Sequence, residues 1–333
     1  MRLKVAVIGA GSWGTTVASI AAHNGPTVLW ARNPETAAEI NTRRTNSRYL
    51  GTSRVGRDLR ATADIGEAVR TADVIIMGVP SHGFRATLEM VRDHIRPWVP
   101  VISLAKGLEQ GSLLRMTQVI NDVLPGHPAG LLTGPNLARE IMAGFAAASV
   151  VAMDDETILR ELRAVFRSKI FRVYTNQDVV GCEIGGALKN VIAIAAGMGD
   201  GLGVGDNTKA AVVTRGLAEL TRLGVAMGGS PHTFAGLAGM GDLVATCASK
   251  QSRNRYVGEQ LGKGRTIVEI CDEMHMVAEG VKTSRVVMEL AAKYDVQMPI
   301  AREVYRVVHE AATPSQAYRG LLRFEAGSEL DPG

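Results

Sequence analysis

The sequence predicts an α/β domain built on a parallel, doubly wound sheet, followed by an all-α domain. Three observations carry this reading. Short apolar runs alternate with helical stretches through the first half of the chain, as they do when strands are buried on both faces. The first of these runs ends in a glycine-rich turn. After Phe171-Arg-Val-Tyr174 the strand pattern stops, and apolar residues recur at helical spacing. A chain of 333 residues also exceeds what one ordinary core supports. Residues 1–182 are assigned to the first domain and 183–325 to the second; 326–333, small, polar and acidic, reads as a frayed tail.

The first element is the apolar run Leu3–Ile8, followed by Gly9-Ala-Gly-Ser-Trp-Gly14 and an amphipathic stretch that stops at Gly25. Strand, glycine turn and helix in this order open a Rossmann-type βαβ unit. Gly9 makes the tight turn, Gly11 lets a pyrophosphate approach the backbone, and Gly14 lets helix and strand pack closely. The helix N-terminus that follows offers N–H donors and partial positive charge to phosphates. The second strand, Thr27-Val-Leu-Trp30, leads into Arg32, where a site for NAD usually carries an acidic residue for the ribose hydroxyl. A guanidinium there suits a 2′-phosphate and favours NADP, with NAD as the alternative.

Further strands are predicted at Asp73–Val79, Val99–Leu104, Leu131–Thr133 and Ala148–Ala152. Ligands of such sheets bind beyond the carboxyl ends of the strands. Three polar turns fall there: Pro80-Ser-His82, Lys106-Gly107 and Gly134-Pro-Asn136. Lys106 follows a buried strand directly, so it either points at the ligand or faces solvent as a loop lysine.

The second half reads as helices over 183–196, 208–225, 230–239, 255–262, 266–271 and 279–294. Lys189 is the only charged residue between Glu183 and Asp200, in a segment too apolar to bury an ammonium without partners or a task, so it either serves a site or snorkels to solvent from a half-buried helix. Gly185 and Gly186 precede it by one helical turn on the face toward which its side chain leans, so a concavity is expected beneath it. Gly239-Met-Gly-Asp242 sets an aspartate after a glycine pair. Gln251-Ser-Arg-Asn-Arg255 gathers hydroxyl, amide and guanidinium donors, which suit a phosphate monoester or a solvated helix cap.

Composition excludes several classes. Aromatic residues make up 5% of the chain, too few for the stacking platforms of nucleic-acid binders. The net charge of +4 is mild, but residues 1–60 hold nine Arg or Lys against three acids, an excess that either steers an anion or is ordinary surface. Cys182, Cys247 and Cys271 are odd in number and widely spaced, which argues for a reducing compartment and against a disulfide framework or a metal site. No signal peptide and no membrane-spanning run of roughly 20 apolar residues are read, so a cytoplasmic protein without membrane insertion is expected.

Eight blocks then occur in a recognisable order. They are Gly9-Ala-Gly-Ser-Trp-Gly-Thr15, Lys106-Gly-Leu-Glu109, Gly134-Pro-Asn136, Gly185–Ile194, Thr214-Arg-Gly216, Gly239–Leu243, Gln251–Arg255 and Val277-Ala-Glu-Gly280. Together they resemble the bacterial NAD(P)-dependent sn-glycerol-3-phosphate dehydrogenases along nearly the whole chain. The resemblance implies reversible reduction of dihydroxyacetone phosphate to sn-glycerol 3-phosphate, a phospholipid precursor, in a homodimer. It implies Lys189 as the proton donor and acceptor at the C2 oxygen. Lys106, Gly134 and Asn136 from the first half, with Lys189, Asp242, Ser252, Arg253 and Asn254 from the second, would surround the substrate. Ser12, Trp13, Arg32, Lys106 and Ala138, with Arg253, Val277 and Glu279, would contact the cofactor. Relatives mostly carry Ser or Thr at the position of Asn136, whose amide keeps a donor and an acceptor but changes reach. A rival reading is a β-hydroxyacid or 6-phosphogluconate-type dehydrogenase, similar in architecture but acting on carboxylates.

Overall fold

The computed structural model describes residues 2–274 and 278–321. The chain forms two compact units, Met1–Lys106 with Leu114–Val179, and Gly107–Leu113 with Val180–Gly333. The segment Gly107–Leu113, which sequence pattern places within the first domain, packs with the second unit because Leu108 is buried in that unit's core and Leu113 lies against it.

The first unit holds eight strands: β1 (Val5–Ile8), β2 (Thr27–Trp30), β3 (Leu59–Thr62), β4 (Val74–Met77), β5 (Val101–Ser103), β6 (Ala129–Thr133), β7 (Ala147–Met153) and β8 (Phe171–Asn176). Their order is β3-β2-β1-β4-β5-β6-β7-β8. All neighbours from β3 to β6 are parallel, whereas β7 runs antiparallel to β6 and β8 runs parallel to β7. The expected all-parallel sheet is therefore corrected at one pair. A parallel return needs a long crossover, but only the short helix Ala138–Met142 separates β6 from β7. Alternation along β1 sends Val5 and Val7 into one apolar layer, and Ala6 and Ile8 into the layer on the opposite face. The four-residue strand β3 escapes the sequence reading because it is short and carries the exposed Arg60.

The second unit is built around the helix Val179–Leu202, longer than the 183–196 expected. By length and composition this helix could cross a membrane, contrary to the sequence reading; its most apolar stretch, however, is 94% buried within the protein. The helix Arg253–Gly262 packs directly against it, and the two meet at glycines. A Cβ on Gly262 would stand 2.8 Å from the Cα of Gly201, and one on Gly258 would collide with the Ile194 carbonyl. Without side chains at these points, the backbones approach as glycine-bearing helices do in membranes. The helices Pro299–His309 and Pro314–Leu321 were not expected from apolar spacing, although each starts on a proline, a recognised N-terminal signal.

Glu219, buried on the helix Asp206–Ala226, accepts the backbone N–H groups of Ile300 (2.7 Å) and Ala301 (3.2 Å) at the start of the Pro299–His309 helix. Desolvation outweighs these bonds and the charges of Arg222 and Arg215, and pushes the carboxyl up to about 7. An acid raised by folding binds its proton more tightly folded than unfolded. Its contribution is therefore greatest below the ordinary carboxylate range and is lost as pH rises toward 7. In denaturant melts at pH 5 and pH 7.5, wild type should lose stability relative to Glu219→Gln by up to about 3 kcal/mol; parallel pH profiles for the two proteins would refute this.

Candidate active site

The chain winds one way from β1 through β2 to β3, then restarts beside β1 with β4 and winds the other way. Nucleotides bind at such switch points. Gly9 leaves β1 with φ +115, and a Cβ there would lie 2.8 Å from the Gly78 carbonyl oxygen at the end of β4. A Cβ on Gly14 would overlap the Gly9 carbonyl, whereas one on Gly11 would meet nothing within 4 Å. The turn is thus closed on its inner side and open at Gly11. The helix Ser12–Asn24 starts there with no side-chain cap and no acidic residue in its first turn, so its N–H donors and positive end are left to a ligand. This geometry fits a dinucleotide pyrophosphate. Ser12 uses its carbonyl to accept the Thr16 hydroxyl at 2.9 Å. Trp13 packs its ring against Phe171 (centroids 6.2 Å apart), and its buried Nε1 has no partner among the described residues. Arg32 stands exposed just beyond β2.

Two further strand ends add polar groups to the same unit. Lys106, half-buried after β5, donates through Nζ to the Gly134 carbonyl at 2.8 Å, so these two predicted residues are in contact. Asn136 donates through Nδ2 to Ser149 Oγ at 3.0 Å, and Ser149 donates to the Thr133 carbonyl at 2.7 Å. The buried Oδ1 of Asn136 has no partner among the described residues. Ala138 begins the short helix after β6.

In the second unit, Lys189 is 5% exposed and Asp242 2%. The Lys189 ammonium lies 2.8 Å from Asp242 Oδ1 and also donates to the Thr246 hydroxyl. Thr246 in turn donates to the Asp242 carbonyl at 2.6 Å. Asp242 and Thr246 are one turn apart on the helix Asp242–Ala248, so both reach one ammonium. The expected gap beneath Lys189 is not found at Gly185: a Cβ there would stand 2.8 Å from the Ala238 carbonyl oxygen. Gly185 instead admits the backbone of the π-helical turn Leu237–Gly241, which delivers Asp242. That turn also replaces the far end of the helix expected over 230–239, of which Pro231–Phe234 forms. Burial pushes the neighbouring Cys247 thiol up to about 12, so it stays neutral beside the pair.

The residues 251–255 divide their tasks. Ser252 caps the helix Arg253–Gly262 by accepting from the Arg255 N–H at 3.2 Å. Asn254 donates to Asn190 Oδ1 at 2.8 Å and accepts the Gly280 N–H at 2.9 Å, tying three helices together. Arg255 is committed to Asp200 (2.6 Å) and Glu259 (3.4 Å). Arg253 is exposed at its surface, yet desolvation of its guanidinium lowers its pKa while the Glu279 charge acts in the opposite direction. Glu279 opens the helix Glu279–Lys293; Val277 lies outside the described residues. Sequence reasoning missed Thr246 and Asn190, although four-residue spacing from Asp242 and adjacency to Lys189 were available signals.

A glycine turn at the switch point of a doubly wound sheet, with a buried lysine–aspartate pair on a helical unit, defines an oxidoreductase that uses a dinucleotide. Comparison with known proteins makes this specific. Residues 4–159 match the N-terminal part, and residues 178–319 the C-terminal part, of NAD-dependent glycerol-3-phosphate dehydrogenase. A glycerol-3-phosphate dehydrogenase (NAD(P)+) 2 of Sphingopyxis alaskensis is 61% identical over 333 residues, 100% of both chains. A glycerol-3-phosphate dehydrogenase (NAD(P)+) of Mycobacterium avium is 59% identical, over 98% of this chain and 96% of its own. The crystal structure of glycerol-3-phosphate dehydrogenase from Coxiella burnetii matches with a TM-score of 0.93 at 34% identity, over 97% of this chain and 99% of that one. The chain belongs to the NAD-dependent glycerol-3-phosphate dehydrogenase family.

Removing one member of a buried ion pair strands the other charge. Asp242→Ala should destabilise the protein by about 3–5 kcal/mol, and the paired change Lys189→Met with Asp242→Leu should recover most of that loss. Denaturation midpoints decide the point: a double variant as unstable as the single would mean that packing, not charge, sets the cost.

Proposed function

We propose that the protein reduces dihydroxyacetone phosphate to sn-glycerol 3-phosphate with NADPH, accepts NADH as well, and runs in both directions. The observation that carries this reading is the buried Lys189–Asp242 pair in a chain of this family. The reduced nicotinamide supplies a hydride to the carbonyl carbon. Negative charge then develops on the carbonyl oxygen, where an ammonium both stabilises it and can supply the proton. An ammonium has three donors. Asp242 and Thr246 take two from Lys189, which leaves the third for the C2 oxygen of the substrate. In the reverse direction the neutral amine takes that proton back.

Lys106, Gly134 and Asn136 are proposed to line the substrate site, the Asn136 Oδ1 offering an acceptor to a substrate hydroxyl. Arg253 is proposed to hold the phosphate, with Ser252 beside it, since Arg255 is committed to Asp200 and Glu259. One N–H of the Asn254 amide stays available to the same ligand after its bonds to Asn190 and Gly280. For the cofactor, the turn Gly9–Gly14 with Ser12 and Trp13 would cradle the pyrophosphate side, and Arg32 would meet a 2′-phosphate. Ala138, Arg253, Val277 and Glu279 complete the proposed contacts. The family resemblance favours a homodimer that supplies glycerophospholipid synthesis, and three cysteines without a disulfide suit the cytoplasm.

Steady-state assays with dihydroxyacetone phosphate, run in parallel with NADPH and NADH and against a panel of carboxylic acids, test the substrate; activity confined to the acids would overturn it. Lys189→Met should lower kcat by about 10²–10⁴-fold with NADPH binding retained, and turnover like that of wild type would remove its role. Arg253→Ala should raise the KM for dihydroxyacetone phosphate by about 10–100-fold. An unchanged KM and unchanged cofactor affinity would exclude Arg253 from phosphate binding.

A further inference from the structure

The glycine turn has a support that none of its own residues supplies. Asn46, fully buried and 36 residues downstream of the turn, donates through Nδ2 to the Ala10 carbonyl at 2.9 Å and to the Thr15 hydroxyl at 2.8 Å. A carbonyl can only accept, so the amide must present its nitrogen to Ala10. In a planar trans peptide the carbonyl and the following N–H point in opposite directions. Fixing the Ala10 carbonyl toward Asn46 therefore turns the Gly11 N–H away from Asn46. The second bond ties the first turn of the helix Ser12–Asn24 to the same amide.

Asn46 is itself held in place. Glu39, on the helix Pro34–Arg43, accepts the Thr45 hydroxyl (2.7 Å), the Ser47 N–H (2.9 Å) and the Ser47 hydroxyl (3.1 Å), gripping the residues on both sides of Asn46. Burial opposes the charge on Glu39, but these bonds outweigh it and keep the carboxyl below its ordinary range. The Asn46 carbonyl also accepts the N–H groups of Tyr49 (3.1 Å) and Leu50 (2.9 Å), so its backbone is fixed by the helix Ser47–Leu50 that it starts.

We infer that Asn46 is a positioning residue for the dinucleotide: its amide, anchored by Glu39, orients the Ala10–Gly11 peptide so that the Gly11 N–H meets the pyrophosphate. The inference rests on the cofactor reading given above. It differs from a purely structural role in its selectivity, because a misoriented N–H affects a ligand with a pyrophosphate and not one without.

Asn46→Leu keeps the Cγ-branched shape of the side chain and removes the donors without adding charge. The Kd and KM for NADPH should rise about tenfold, the loss expected for one hydrogen bond to a charged group. The KM for dihydroxyacetone phosphate, kcat at saturating NADPH and inhibition by adenosine 2′-phosphate, which lacks the pyrophosphate, should stay close to wild type. Unchanged NADPH affinity in the folded variant, or equal losses for NADPH and adenosine 2′-phosphate, would overturn the inference. Glu39→Gln, nearer the surface, supplies the same readout if Asn46→Leu does not fold: a selective rise of about threefold supports the anchor, and none refutes it. Wild-type protein that binds neither NADPH nor NADH would remove the cofactor reading and this inference together. Binding by wild type with indifferent variants removes the inference alone.

Discussion

A charge taken out of water must be answered at contact distance, and in this protein the answer to Lys189 depends on a glycine. Gly185 carries no Cβ, so the backbone of the Leu237–Gly241 turn can rest against the long helix Val179–Leu202. That contact sets where Asp242 begins its own helix, and Asp242 with Thr246 then fixes the ammonium from two sides. A π-helical turn is an uncommon conformation that collects at functional sites. Here it is the piece that converts a close backbone approach into a placed carboxylate. The glycine contacts at Gly201, Gly258 and Gly262 hold the neighbouring helix equally near and bring Asn254 against Asn190, next to Lys189.

The first unit uses the same device for a different purpose. At the switch point between β1 and β4, Gly9 and Gly14 let strand ends and helix start pack backbone to backbone, while Gly11 leaves its side of the turn open. Closure on one side and openness on the other suits the turn to an anion. Its rigidity comes from elsewhere in the chain, since the Ala10 carbonyl and the Thr15 hydroxyl are both held by Asn46. In both units, then, chemistry-bearing groups sit where missing side chains let main chains touch. Side-chain amides and hydroxyls (Asn46, Thr246, Asn254) lock those contacts.

Polar residues near the two sites are not equivalent, and hydrogen bonding sorts them. Arg253 and Arg255 are two residues apart in one sequence block, yet Arg255 is paired with Asp200 and Glu259 whereas Arg253 has a desolvated guanidinium within the field of Glu279. Asn254, between them, is largely structural, bridging Asn190 and Gly280. Lys106, which position alone left between a ligand contact and a loop lysine, is drawn onto the Gly134 carbonyl.

Much of this was legible in the sequence because the signals are local. A glycine turn between an apolar strand and a helix encodes its own geometry, and one lysine in an apolar helix announces a cost that something must offset. The alternation of strands and helices was likewise enough for the doubly wound sheet and the change to an all-α half. What the sequence could not specify is which backbone fills the space beside a glycine. Gly185 read as a cavity because the Ala238 carbonyl that occupies it lies 53 residues away in the chain. The antiparallel β7, the attachment of Gly107–Leu113 to the second unit, and the reach of Asn46 to Ala10 have the same origin. Residue type and spacing determined the elements and the chemical groups; long-range packing alone decided which of those groups touch, because contact between distant segments depends on shape rather than on sequence neighbourhood.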